Sequence, residues 1–157
     1  MDSVRRASVN DEVTTLSAEM LRRFCEANDY RYSSDKAGNI RLSFDHSEER
    51  DSVLKVHIDC SGKSGTVLCV RITSDRRYDA DRMDEVLRAI NEYHIEKRWP
   101  KVYAEVKGKA ILITCETQLD ATVGIHQALL DETISRALSS SNTFHKWMVA
   151  RNIPARA

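Results

Sequence analysis

Two β-branched runs, residues 53–60 and 66–73, flank the segment Ser61-Gly62-Lys63-Ser64-Gly65. This pattern predicts an antiparallel hairpin, because the glycines permit the turn and successive strand side chains point to opposite faces. Leu54, Val56 and Ile58 fall on one side of the first strand, and Leu68, Val70 and Ile72 on one side of the second. One face of the sheet is therefore apolar and has to be covered by another part of the chain.

Helical stretches supply the cover. Asn10 is placed to cap a helix whose first turn carries Asp11 and Glu12, with Val13, Leu16, Met20, Leu21 and Phe24 recurring at helical spacing. Asp79 is placed to cap a second, whose Met83, Val86, Leu87 and Ile90 form an apolar stripe, and Pro100 ends it by holding Trp99 out of helical torsions. A last helix is expected from near Val123, with Ile125, Leu129, Ile134, Leu138, Phe144 and Met148 at helical intervals and Ser139-Ser140-Ser141 bending or breaking it.

Between these, Lys36-Ala37-Gly38-Asn39 marks a hairpin turn within residues 30–44, residues 45–51 read as a charged loop, and strands 101–106 and 110–116 turn through Lys107-Gly108-Lys109. The order α-ββ-ββ-α-ββ-α predicts an α+β fold, an antiparallel sheet of five or six strands with three helices packed on one face. The expected organisation is a flexible N-terminus over residues 1–9, a single domain over 10–150 and a C-terminal tail over 151–157.

At 157 residues the chain buries roughly 70% of its unfolded surface, enough for a core without disulfides or metal. Lys plus Arg and Asp plus Glu number 24 each, and the pairs Arg5-Arg6, Arg22-Arg23, Arg76-Arg77 and Lys97-Arg98 lie far apart, which argues against a nucleic-acid partner. No window reaches the roughly 18 apolar residues of a membrane span, and the N-terminus lacks the apolar core of a secretory signal, so a cytoplasmic protein without a membrane partner is expected. Arg5-Arg6-Ala7-Ser8 fits a basophilic kinase site, a match that chance supplies easily. Cys25, Cys60, Cys69 and Cys115 show no CxxC spacing and read as buried reduced thiols.

If Cys60 lies opposite Thr66, the register sets His57 opposite Cys69, with Asp59 on the same face. Thiol, imidazole and carboxylate are the components of a cysteine nucleophile with its base and orienter. A mid-strand cysteine nevertheless lacks the electropositive cleft that activates a thiolate, and structural packing is the stronger reading. His46 with Asp45, Glu48 and Glu49 reads as a solvated loop in preference to a metal site. His126 and His145 are single histidines on the last helix and receive no function. Gly62, Gly65 and Gly108 belong to hairpin turns, so no nucleotide site or other cofactor is indicated. Trp99 is expected to fill the corner between helix and strand, and Tyr103 and Trp147 serve either as core or as interface anchors.

The run AINEYHIEKRWPKVY at residues 89–103 contains Asn91 and the junction Arg98-Trp99-Pro100-Lys101-Val102-Tyr103. It is followed by Glu116-Thr117-Gln118-Leu119-Asp120, after the fifth or sixth strand, and by a closing helix with Phe144 and Trp147. Together these resemble the YbjN-like family, labelled bacterial sensory transduction regulators, whose fold resembles the type III secretion chaperones. The resemblance covers residues 13–150, and His94 departs from it at a position where members commonly show asparagine. It implies a small non-enzymatic module, dimeric or tandem, that acts by binding a protein or a paralogous subunit.

Under that reading the open sheet face or the last helix meets the partner, with Tyr103, Trp147, His57, Cys69 and Arg71 as contact residues. Two alternatives remain at this point: a sensor holding an apolar small molecule between sheet and final helix, and a cysteine-dependent enzyme using Cys69 and His57.

Overall fold

The structure, a computed structural model, describes residues 12–157. Ser8, Asn10 and Asp11 lie outside the described residues. In chain order the elements are α1 (Ala18–Ala27), β1 (Ser33–Ser34), β2 (Ile40–Ser47), β3 (Ser52–Ser61), β4 (Val67–Ser74), β5 (Tyr78–Asp79), α2 (Met83–Glu96), β6 (Lys101–Lys107), β7 (Ala110–Asp120) and α3 (Gln127–Ala150). All strands pair antiparallel in one sheet, and the three helices pack on one of its faces.

The β3–β4 hairpin forms, in a register two residues away from the one expected. Cys60 pairs with Leu68, not Thr66, and His57 pairs with Arg71, not Cys69. The cause lies in the turn: β3 runs on through Ser61, which pairs with Val67, and leaves residues 62–66 as the loop. A slip of two preserves the faces, so Leu54, Val56 and Ile58 still meet the core beside Leu68, Val70 and Ile72, all 3% exposed or less.

β2 extends the sheet beyond β3 and runs to Ser47, so the first part of the expected charged loop is strand. Its turn from β1 is held by Asp35, whose Oδ1 accepts from the amides of Ala37 and Asn39 at 2.9 and 3.0 Å. β7 is the hub of the other side. β4 lies along one edge of it and the two-residue β5 continues that edge, while β6 occupies the opposite edge. β5 raises the sheet to seven strands.

Helix boundaries shift for local reasons. The stretch before α1 is extended, because Thr14 exchanges backbone hydrogen bonds with Ile125 at 3.0 and 2.9 Å. Val13 is consequently 60% exposed, whereas Leu16 reaches the core from an extended backbone and Ser17 precedes the helix. A 3-10 turn, Ala80–Arg82, leads into α2, so Asp79 belongs to β5 and makes no side-chain cap. Leu87 lies outside the buried stripe of Val86, Ala89, Ile90 and Tyr93.

α3 starts at Gln127, with the His126 ring Nδ1 accepting from the Leu129 amide at 2.9 Å, and Val123 lies on the surface before it. Ser139-Ser140-Ser141 does not break it. Ser140 Oγ donates back to the Arg136 carbonyl at 2.7 Å and Ser139 Oγ to the same carbonyl at 3.3 Å, so these two hydroxyls are satisfied within a continuous helix, while Ser141 Oγ is buried without a partner.

Trp99 does not fill the layer corner. α2 ends at Glu96, and three residues on the indole is 44% exposed beneath the Arg136 guanidinium, 4.7 Å from its ring centroid. Tyr93 is the buried aromatic there, donating its hydroxyl to Trp99 O at 3.2 Å and packing edge-on against Phe144 and Trp147. Burying each such side chain contributes roughly 1.5–3 kcal/mol. Residues 151–157 lie against the body: Ile153 is buried, and Arg156 reaches Arg77 O, Asp79 Oδ1 and Lys109 O.

Candidate functional site on the uncovered sheet face

Strand alternation turns Arg41 and Ser43 of β2, Lys55, His57 and Asp59 of β3, and Cys69, Arg71 and Thr73 of β4 away from the helices. The same face carries Thr114, Glu116 and Gln118 of β7 and Lys101, Tyr103 and Glu105 of β6. The register aligns a row across five strands: Arg41, His57, Arg71, Glu116 and Lys101 are successive cross-strand neighbours.

All of this row except Arg41 is internally neutralised. Arg71 pairs with Asp59, and His57 Nε2 lies 3.6 Å from the same carboxylate. Lys101 Nζ is 2.5 Å from Glu116 Oε1, and Tyr103 donates its hydroxyl to Glu116 Oε2 at 3.3 Å. Glu116 raises the Lys101 ammonium above its usual pKa, and burial, aided by Glu116, raises the Tyr103 phenol. The long side chains shelter their shorter neighbours, so that Asp59 and Glu116 are buried although none of α1, α2 and α3 covers them.

Cys69 is 1% exposed, sits opposite Asp59, and receives the Gln118 amide at 3.8 Å. Burial pushes its thiol up, the reverse of what activates a cysteine nucleophile. Cys69, His57 and Asp59 do share one face, but the register sets Arg71, not Cys69, across from the imidazole.

Toward β2 the face turns basic. A hollow of about 780 Å³ is lined by Arg31, Arg41, Lys55, His57, Arg71 and Tyr103, with Glu105 as its one acidic lining residue. Among the described residues, Arg31, Arg41 and Lys55 have no carboxylate within 4.0 Å. A chain of zero formal charge thus gathers an excess of cations at one place. Arg41 and Lys55 occupy the polar positions of alternating strands, so their shared face was readable from the pattern; their meeting with Arg31 was not.

Of the expected contact residues, Tyr103, His57, Cys69 and Arg71 lie together on this face. Trp147 lies in the helical layer, its ring under the Arg151 guanidinium at 3.9 Å. His94 serves the helix-to-strand junction, its Nε2 accepting from the Val102 amide at 3.2 Å. His46 Nε2 is 3.3 Å from Asp51 Oδ1, Glu49 pairs with Lys146, and no group of three potential metal ligands occurs among the described residues. No helix among them is long and apolar enough to cross a membrane.

Residues 17–150 match the YbjN family, described as "Putative bacterial sensory transduction regulator". The crystal structure of YbjN from E. coli superposes with a TM-score of 0.74, covering 93% of this chain and 100% of that one at 7% sequence identity. That likeness concerns the fold. No curated protein matches the sequence. Family match, element order and layering agree, and the chain belongs to the YbjN family.

Proposed function

We propose that this protein is a non-enzymatic regulatory module of the cytoplasm that acts, in the manner of a chaperone, by binding a protein partner through its uncovered sheet face. The observation that carries this reading is the basic hollow over Arg31, Arg41 and Lys55, three cations that make no ion pair among the described residues and outnumber the single acidic lining residue, Glu105, on the face away from α1, α2 and α3. Such a face suits an acidic segment of a partner, because complementary charge steers association and fixes orientation. Tyr103 and Arg71, at the border of the hollow, are residue types that anchor interfaces. The partner is a different protein or a paralogous subunit, and a homodimer is the simplest self-association.

Affinity capture with the full chain and with an Arg41→Glu/Lys55→Glu variant tests the face. A protein retained by the first bait, released by raised salt and lost with the second supports the reading. Equal recovery on both baits removes this face from the interaction. Light scattering over a range of concentrations decides whether a second copy is the partner.

A further inference from the structure

At the far end of β2 the sheet and α3 part, and a groove of about 490 Å³ opens between them, within the size range of small-molecule sites. Tyr30, Phe44, Leu54 and Leu138 supply its apolar lining. Ser135, Leu138, Ser139 and Asn142 also line it, and their helical spacing puts one face of α3 along the groove.

Arg50, 9% exposed, stands in the same lining. Its Nε donates to Ser52 O at 3.1 Å, Nη1 to Asn142 Oδ1 at 3.2 Å, and Nη2 to the Asp45 carbonyl. These are uncharged acceptors, and among the described residues no carboxylate lies within 4.0 Å of the guanidinium. A guanidinium has five N–H donors, so one on each terminal nitrogen is left over. A buried cation without a counter-charge costs solvation energy that an opposite charge would offset.

We propose that this groove binds an amphipathic monocarboxylate, its carboxylate taking the two remaining Arg50 donors and its apolar body lying against Tyr30, Phe44, Leu54 and Leu138. A single negative charge balances Arg50, whereas a phosphate dianion carries a second charge that Arg50 leaves unbalanced and that Asp45, exposed at the border of the groove, repels. The site is on the helix-covered side of the sheet and does not depend on the reading of the uncovered face. Since α3 forms one wall, an occupant bears directly on the seating of that helix.

The full chain is titrated with sodium octanoate and 4-phenylbutanoate, and with octan-1-ol and 4-phenylbutan-1-ol as uncharged counterparts, by calorimetry and by amide NMR. The carboxylates are expected to bind at least about tenfold more tightly than the alcohols, with shifts centred on Phe44, Leu54 and Asn142. Leu138→Trp, which fills the groove and leaves Arg50 in place, is expected to abolish binding, and Arg50→Gln to weaken it about tenfold or more. The wild-type comparison of acid with alcohol needs no variant to fold. Neither carboxylate binding at millimolar concentration, alcohols binding equally well, or full affinity in a folded Leu138→Trp variant would each overturn the proposal.

Discussion

His145 Nε2 lies 3.7 Å from the sulfur of Cys115, joining the interior of α3 to the middle of β7. Burial, with a contribution from the Arg50 charge, pushes the His145 pKa down to about 4, and burial pushes the Cys115 thiol up to about 12. Both are therefore neutral at physiological pH, and the pair is packing, not chemistry.

A dependence of stability on pH follows. Unfolded, His145 takes up its proton near pH 6.5, but folded only near pH 4. Below pH 6.5 the unfolded state binds the extra proton, so stability is full above that value and declines toward pH 4, by on the order of 3 kcal/mol in total. Urea unfolding at pH 7 and pH 5 measures the decline, and His145→Leu should flatten it. Parallel losses in variant and wild type would assign the effect to other groups.

Thiol reactivity separates a packed cysteine from an activated one. Burial raises Cys25 to about 11 and Cys115 to about 12, and also raises Cys60 and Cys69. Native-state alkylation of Cys25 at neutral pH should run about a hundredfold or more below N-acetylcysteine, because the thiolate fraction falls tenfold per pH unit. Cys60, the least buried of the four, should react first. Labelling of Cys69 faster than N-acetylcysteine would revive the nucleophile.

Gly38 and Gly108 both have positive φ, +84° and +64°, in hairpin turns. A Cβ at Gly38 would come within 2.4 Å of the Ala18 Cβ on α1, whereas one at Gly108 meets nothing within 4 Å. Gly108→Ala should cost about 1–2 kcal/mol from backbone conformation alone, and Gly38→Ala about 3 kcal/mol because the turn must also move off the helix. Equal losses in thermal unfolding would contradict the close approach.

Glu116 is 7% exposed and rests on Lys101 and Tyr103. Lys101→Ala strips a sheltered carboxylate of its cation. It should destabilise the chain more than the double variant Lys101→Ala/Glu116→Gln, which leaves no unpaired charge. Denaturant midpoints of the two variants make the comparison, and a double variant that is the weaker would reverse the argument.

The layering was legible because its cause is local. The alternation of Leu54, Val56 and Ile58 with Lys55 and His57 declares which face is buried whatever the register, and the slip of two around Gly62 left that assignment intact. What escaped the sequence rests on distant partners. Nothing near Val13 announces that Thr14 pairs with Ile125, and nothing near Trp99 announces that Arg136 waits above its ring. The basic hollow was half readable, through Arg41 and Lys55. A site between sheet and final helix was among the alternatives read from the sequence, but Arg50 and the lining were not readable, since they are assembled from α3 and three stretches before it.

β7 closes the sheet by pairing with β4 on one edge and β6 on the other. During synthesis, β4 emerges with its outer rim bare and stays so until residues 75–109 have been added and β7 arrives. A nascent chain paused in that interval offers a ready template of unpaired amides and carbonyls to any neighbouring strand, a hazard of aggregation that for β4 ends when β7 pairs with it.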